Sequence, residues 1–302
     1  MLFLKSMLYK VSTSRSARRT GNHRVRESPM LFPATGVQRQ VSIIKVNPGE
    51  LSNRDKQLLC GLFLSKYDQA ALHLLGFKSF TEAFNILGYA LGARPASIKN
   101  YRDELDPYLS TKRRGWHKRP LRSHCKRILD EFADTDVVEL GLFIKRFLCP
   151  SYALQAEPDV RRVLARCEGA NSSFAKRLMT GRAAEEYFVC HHESIPEFTG
   201  SSVTDTTQWG CGFDFKLVFE QSDLFSVVEV KGMRSRIGQI LFTDLEHAMA
   251  ETLAERYFLV VVRNFADKPF HSVFRNPLRC NLPFVRIERK ETRISWLTNL
   301  TS

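Results

Sequence analysis

The sequence predicts an α+β protein in which an N-terminal all-helical part precedes an α/β part, and three observations carry that expectation. From Leu51 to about Leu148 the apolar residues recur every three or four positions, the period of helices with one buried face. Beyond residue 173 the pattern becomes helix, two strands, helix, strand, the order of a sheet layered with helices. Between them Pro150, Pro158 and the run Glu168-Gly169-Ala170-Asn171-Ser172-Ser173 break both periods. The expected division is a basic, flexible segment over 1–48, a helical domain over 49–150, a linker over 151–173 and an α/β domain over 174–302.

The elements follow in order. A short strand is expected from Gln40 to Val46, closed by a turn at Asn47-Pro48-Gly49. Leu58, Leu59, Leu62 and Phe63 mark one helix, Ala70, Leu74 and Leu75 a second, and Phe84, Leu87 and Leu91 a third. Two more run over Leu121–Phe132 and Val137–Phe147, joined at Asp134-Thr135-Asp136. A helix from about Phe174 to Phe188 leads through a polar loop, Thr199 to Gln208, to two strands that form a hairpin turning near Glu220–Asp223. A helix from about Asp244 to Arg256 then precedes Tyr257-Phe258-Leu259-Val260-Val261-Val262, apolar enough for a strand buried on both faces.

Composition narrows the function. The 302 residues carry 45 Lys and Arg against 32 Asp and Glu, a net charge of +13. That balance favours nucleic acid over an acidic metabolite as partner. The seven cysteines are odd in number and form no Cys-x-x-Cys pair, so free thiols in a reducing compartment are expected. Cys190-His191-His192 with Cys211 lacks the paired short spacings of structural zinc sites. No apolar stretch reaches the roughly 18–20 residues that span a bilayer, so a soluble, cytoplasmic protein is expected. The first 26 residues hold Lys5, Lys10, Arg15, Arg18, Arg19, Arg24 and Arg26 and no acid. A basic arm, or sequence upstream of a start at Met30, is preferred to an organelle-targeting segment. Lys5 and Lys10 argue against a secretory signal.

Within the helical part, Leu87 to Tyr101 has the spacing of a helix-turn-helix. Gly88 permits close approach, Gly92 supplies a left-handed turn, Pro95 suits a first helical turn, and Ile98 and Tyr101 anchor the second helix. Ser97, Lys99, Asn100 and Arg102 would then form the exposed side that meets DNA. An ordinary helical hairpin is the competing reading. Lys112, Arg113, Arg114, His117, Lys118 and Arg119 crowd around Trp116, and Arg122, Lys126 and Arg127 follow. Phosphates would neutralise such a cluster and Trp116 could stack on a base. A solvated loop partly neutralised by Asp103, Glu104 and Asp106 is the alternative.

The chemistry concentrates in two runs, Gly212-Phe213-Asp214 and Val227-Val228-Glu229-Val230-Lys231-Gly232. Strand alternation puts Glu229 and Lys231 on one face and Val228 and Val230 on the other, with Asp214 from the neighbouring strand as a second carboxylate. Carboxylates that hold a divalent ion and an ammonium that offsets negative charge are what phosphodiester hydrolysis requires. A charged pair on a solvated strand is the alternative.

With Phe242-Thr243-Asp244-Leu245-Glu246 and Tyr257-Phe258-Leu259-Val260-Val261, these runs resemble the C-terminal domain of NO VEIN, within the restriction-endonuclease-like PD-(D/E)xK nucleases. The resemblance covers roughly the last 120 residues, from about Gly181, and leaves the helical part unassigned. Phe213 stands where the superfamily's label has proline. The resemblance implies a mixed central sheet flanked by helices and cleavage of nucleic acid that depends on Mg²⁺, with Mn²⁺ as a substitute. It implies that Asp214 and Glu229 bind the metal, with the Val230 carbonyl as a further candidate. It gives Lys231 the attacking water, and Glu185, with Glu186 as its rival, a further ligand position. Thr243 and Glu246 have the spacing of a capping box, and the resemblance also sets them beside the site. Arg234 and Arg236 either clamp the scissile phosphate or decorate a loop.

The resulting expectation is a Mg²⁺-dependent DNA endonuclease of the restriction or phage-defence type, acting as a homodimer, with a cognate DNA methyltransferase as a possible companion. The rivals are a non-catalytic DNA-binding regulator on a nuclease-like scaffold, and a nuclease for RNA or for damaged or branched DNA.

Overall fold

Seven helices and five strands make up the regular structure of the described residues, which in this computed structural model are 44, 46–116, 119–149, 172–220 and 224–288. Residues 1–43 and 45 of the expected N-terminal segment, residues 150–171, His117, Lys118, most of the Glu220–Asp223 turn and the C-terminal tail lie outside the described residues, and Ser172 and Ser173 of the expected linker already belong to a helix. The protein is α+β, with a helical part followed by a five-stranded mixed sheet. Ile44 and Val46, within the strand expected from Gln40, belong to no strand, and the Ile44 amide donates to Glu139 Oε1 at 2.8 Å. Among the described residues no helix is long and apolar enough to cross a membrane.

Helix α1 (Asn53–Leu75) replaces the two helices expected there. Ser52 caps its start by accepting from the Asp55 amide, and Gly76 closes its end in the left-handed conformation. The interruption that the sequence suggested survives as a kink at Asp68, with φ 49° and ψ −119°. A kink frees carbonyl groups, and Arg113 collects one of them, donating to Ser65 O at 2.8 Å while it also bonds Asp68 and Asp106. One guanidinium therefore fastens the bend.

Helices α2 (Phe80–Ala90) and α3 (Pro95–Leu105) flank a tight turn. Gly92 sits at φ +59°, and Ile98 and Leu87 are fully buried beneath the pair. A Cβ on Gly88 would lie 2.8 Å from Pro95 Cα and 2.9 Å from Pro95 N. Those are backbone atoms that cannot swing aside, so Gly88→Ala is expected to cost about 1–3 kcal/mol. Urea denaturation measures it; an unchanged midpoint would refute the close-packed turn.

Helices α4 (Ser123–Phe132) and α5 (Val137–Leu148) complete the helical part, Asp136 capping α5 through the Val138 and Glu139 amides. The long α6 (Ser172–His191) then packs against both α2 and the sheet. The strands are β1 (Ser201–Asp205), β2 (Phe215–Phe219), β3 (Phe225–Gly232), β4 (Tyr257–Arg263) and β5 (Phe270–Arg275), in spatial order 1-2-3-4-5. All neighbours are antiparallel except β3 and β4, which run parallel and need the crossover that helix α7 (Asp244–Leu253) supplies.

Two of these elements correct the sequence expectation. Strand β1 lies within the stretch expected to be a polar loop. Its residues, Ser-Ser-Val-Thr-Asp, carry no apolar alternation because it is an edge strand, held by pairing Val203 with Leu217. Strand β5 forms the other edge and was not anticipated. By contrast β4 is buried along both faces, as its apolar run requires.

One continuous apolar core joins Leu58, Phe63 and Leu87 of the helices to Phe188 of α6 and to Val228, Val230, Phe258 and Val260 of the sheet. Polar groups stitch the same boundary. Glu82 of α2 is fully buried and accepts from the Lys78 amide at 2.7 Å, from Lys176 Nζ of α6 at 2.8 Å and from Arg234 Nε at 2.8 Å. Burial alone would raise its pKa, but these donors outweigh it and hold the carboxyl below its usual range. Asn85 adds donations to the carbonyls of Phe265 and Asp267. On the opposite face of the sheet a smaller core gathers Val227, Tyr257, Ala250 and Leu253 beneath α7.

Candidate active site

Strand β3 has two different faces. Val228 and Val230 join the core shared with α6, so by alternation Glu229 and Lys231 lie with Val227 on the side that α7 covers. Asp214 immediately precedes β2 and is clamped to β3 around Glu229. Its amide donates to Val228 O at 3.0 Å, and its Oδ2 accepts from the Val230 amide at 2.8 Å. Its own carbonyl accepts from the Thr206 amide at 2.8 Å. The three expected residues are thus brought together by sheet geometry.

Lys231 Nζ lies 2.6 Å from Glu229 Oε1 and 2.8 Å from Glu246 Oε2. Glu246 also completes a capping box, accepting from the Thr243 amide at 2.9 Å while its amide donates to Thr243 Oγ1 at 3.2 Å. The Thr243-x-x-Glu246 pair thus starts α7 as a capping box, and Glu246 also holds Lys231. Tyr257, wholly buried, donates its hydroxyl to Gly212 O at 2.9 Å and closes the loop before Asp214.

Electrostatics set the cluster apart. Burial raises the Asp214 carboxyl, the Val230 amide and Lys231 oppose it, and Glu246 and Asp205 add to it. Glu229 is raised by burial and then by Asp214. Glu185, on α6, is pushed up to about 7 by burial and by the Asp214 charge, with Arg182 opposing. Burial pulls Lys231 down, but Glu229 and Glu246 outweigh it and keep the ammonium charged. Buried carboxylates that repel one another are unfavourable in isolation, and a group that offsets their charge relieves the strain.

That arrangement gives a pH prediction. A carboxyl raised from 4.5 to about 7 on folding stabilises the fold fully below pH 4.5, and the contribution is lost as pH rises through 7. In EDTA, Glu185→Gln is therefore expected to be more stable than the parent at pH 8, by on the order of 2–3 kcal/mol, with the gap closing toward pH 4.5. Denaturation midpoints across pH measure it; a gap that does not change with pH contradicts it.

Asp205, within the stretch expected to be a polar loop, adds its charge to this cluster. It ends β1 opposite Phe215, and its charge bears on both Asp214 and Glu185. Arg182 pairs with both Glu185 and Glu186, and the two separate by direction: Glu185 feels Asp214, whereas the Glu186 Oε2 approaches Gly92 in the α2–α3 turn. Arg234 is committed to Glu82, and the Arg236 guanidinium lies 5.7 Å from the Phe270 ring centroid.

Asp214, Glu229 and Glu185 offer hard carboxylate oxygens, the donor type that Mg²⁺ takes. The excess negative charge at Glu185 and Asp214 fits a divalent ion as well. As the side chains stand, no three Asp, Glu, His or Cys groups among the described residues are placed to hold a metal ion together.

Residues 184–275 match the family model described as Protein NO VEIN, C-terminal. The match takes in Glu185, Asp214, Glu229, Lys231, Thr243 and Glu246, and it ends with β5. No curated protein and no solved structure matches the chain. Helices α1 to α5 lie outside the matched span.

On the helical side the basic residues divide. Arg102 was expected on an exposed face, yet its side chain is 11% exposed, paired with Asp103 and lying over the Phe80 and Phe84 rings. Arg113 is spent on the α1 kink, and Arg122 pairs with the buried Glu104. Within the cluster, Asp106 pairs with Arg113 and Glu104 with Arg122, while Asp103 pairs with Lys99 and Arg102 of α3. Lys112, Arg114 and Arg119 are exposed and form no ion pair with a described residue, and Lys99 stays 55% exposed. Arg119 lies over Trp116 at 5.4 Å, and Ser97 and Asn100 border the same region. Lys118 lies outside the described residues.

Proposed function

We propose that this chain is a Mg²⁺-dependent DNA endonuclease of the PD-(D/E)xK type, of the restriction or phage-defence class, with a helix-turn-helix-like helical part that recognises DNA. The observation that carries the reading is the grouping of Asp214, just ahead of β2 and bonded to the Val230 amide, with Glu229 and Lys231 of β3, Lys231 being held between Glu229 and Glu246.

Asp214 and Glu229, with Glu185, would hold the ion. When bound, Mg²⁺ supplies charge that polarises a phosphate oxygen and lowers the pKa of water. Asp214 contributes rigidity, since the Val230 amide fixes one of its oxygens. Lys231 offers a positioned ammonium to negative charge developing on the scissile phosphate, and Glu246 keeps that ammonium from swinging into solvent. Tyr257 and the small core beneath α7 exclude water from the inner side. Exposed Lys99, Lys112, Arg114 and Arg119 supply contacts to the phosphate backbone. One such site cuts one strand, so a double-strand cut requires two copies, and a homodimer is the economical form. A DNA methyltransferase protecting the host's sites is the companion this biology calls for.

That no three Asp, Glu, His or Cys side chains among the described residues are placed to hold a metal ion together favours a second reading, a DNA-binding regulator that retains the fold as a scaffold. Incubation with plasmid and phage DNA, in Mg²⁺ or EDTA, separates the two. Fragments that require both Mg²⁺ and Asp214 support the nuclease. Binding without cutting, in Mg²⁺ and in Mn²⁺, supports the scaffold. Cutting confined to RNA or to branched DNA would keep the chemistry and replace the substrate.

A further inference from the structure

We infer that the cleft beside α3 binds a single unstacked nucleobase, an inference that rests on the nucleic-acid reading above for its preferred source of that base. The cleft encloses about 280 Å³ and is bordered by Ser97, Asn100, Tyr101, Trp116, Arg119 and Arg122. Ligand pockets for drug-sized molecules run roughly 300–1,000 Å³, so this one suits a small ring system rather than a peptide or an extended chain.

Its walls are flat. The Arg119 guanidinium lies 5.4 Å from the Trp116 ring centroid, and the Arg122 guanidinium lies 5.5 Å from that of Tyr101. Two aromatic rings, each faced by a planar cation, are the surfaces on which heterocycles stack. The tryptophan is held in place from its backbone, whose amide donates to Asp103 O at 2.7 Å.

The rim is polar and unspent. Neither the Asn100 amide nor the Ser97 hydroxyl makes a side-chain hydrogen bond to another described residue. An amide presents a donor and an acceptor side by side, the pattern that pairs with the edge of a base. Arg122 is already neutralised by the buried Glu104, so of the two guanidiniums in the cleft only Arg119 is without an ion pair to a described residue. Exposed Lys112, Arg114 and Lys99 neighbour these residues in the chain and could hold the strand from which the base leaves. Extruding a base costs least where it is already unpaired.

Two probes test this at fixed salt: labelled DNA duplexes, fully paired or with one bulged adenine, and adenosine monophosphate. Affinity is read by anisotropy and the cleft by tryptophan emission. Trp116→Phe, which keeps Trp209 and Trp296, isolates the Trp116 signal. The bulged duplex is expected to bind roughly 5- to 150-fold more tightly than the paired one and to quench Trp116. Asn100→Ala, at an exposed residue that bonds no neighbour through its side chain, should erase most of that preference; Trp116→Phe should retain most of it. Saturable quenching by adenosine monophosphate without a bulge preference would support the cleft and make free nucleotide its ligand. Duplex binding with no Trp116 quenching by either probe would overturn the inference and leave the DNA reading standing. Failure to bind any DNA would remove that reading, and the adenosine monophosphate arm alone would then decide the cleft.

Discussion

Lys231→Met is expected to reduce DNA cleavage by on the order of 10²–10⁴-fold while DNA affinity stays near that of the parent. The methionine keeps the aliphatic stem but removes the ammonium from between Glu229 and Glu246. Two carboxylates are then left facing each other in a buried site, so the substitution also lowers stability. Lys231→Arg restores the charge with a wider, flatter head, and should recover stability better than rate because its donors cannot occupy the same point. Rates are compared at matched folded fraction, with binding measured on the same preparations. Parental cleavage by Lys231→Met would falsify the assignment of the lysine, and equal losses of binding and cutting would place it in DNA contact instead.

The largest loss of stability is expected far from that lysine, at Glu82. Glu82→Ala leaves Lys176 and Arg234 without their buried partner and frees the Lys78 amide, which should cost about 3–5 kcal/mol. Because the three donors belong to different parts of the fold, the helical part and the sheet should loosen together. Hydrogen exchange would then quicken in both α2 and α6. An urea midpoint within error of the parent would show that the hub adds nothing beyond the apolar core around it. Arg234 leaves the strand end three residues after Lys231, so a smaller fall in cleavage should accompany the loosening.

The site was legible in the sequence where a local rule governs it. Alternation along β3 is a backbone property, so Val228 and Val230 facing one core and Glu229 and Lys231 facing away can be read without a structure. The Thr243–Glu246 cap is equally local. What escaped depends on distant pairing. Asp205 ends an edge strand whose polar residues show no period, and only its register with Phe215 brings it to the carboxylates. Arg234 and Glu82 are 152 positions apart, and no spacing rule connects them. The basic cluster misled in a different way. Charge counting treats every guanidinium alike, whereas Arg102 and Arg113 are folded against aromatic rings and freed carbonyls, leaving Lys99, Lys112, Arg114 and Arg119 outward. The kink at Asp68 was visible as a break in the apolar pattern, but a helix that bends and two helices that meet leave the same trace.

A single oxygen, Glu246 Oε2, both begins the crossover helix and restrains the lysine. Arming and folding are thereby one event. β2 and β3 are sequence neighbours and pair without α7, and in that hairpin Lys231 already has Glu229 beside it on the same strand; its second carboxylate arrives only when α7 forms and carries the chain across to β4. For the proposed nuclease, half-made copies would lack the completed clamp on Lys231, a form of restraint that needs no inhibitor.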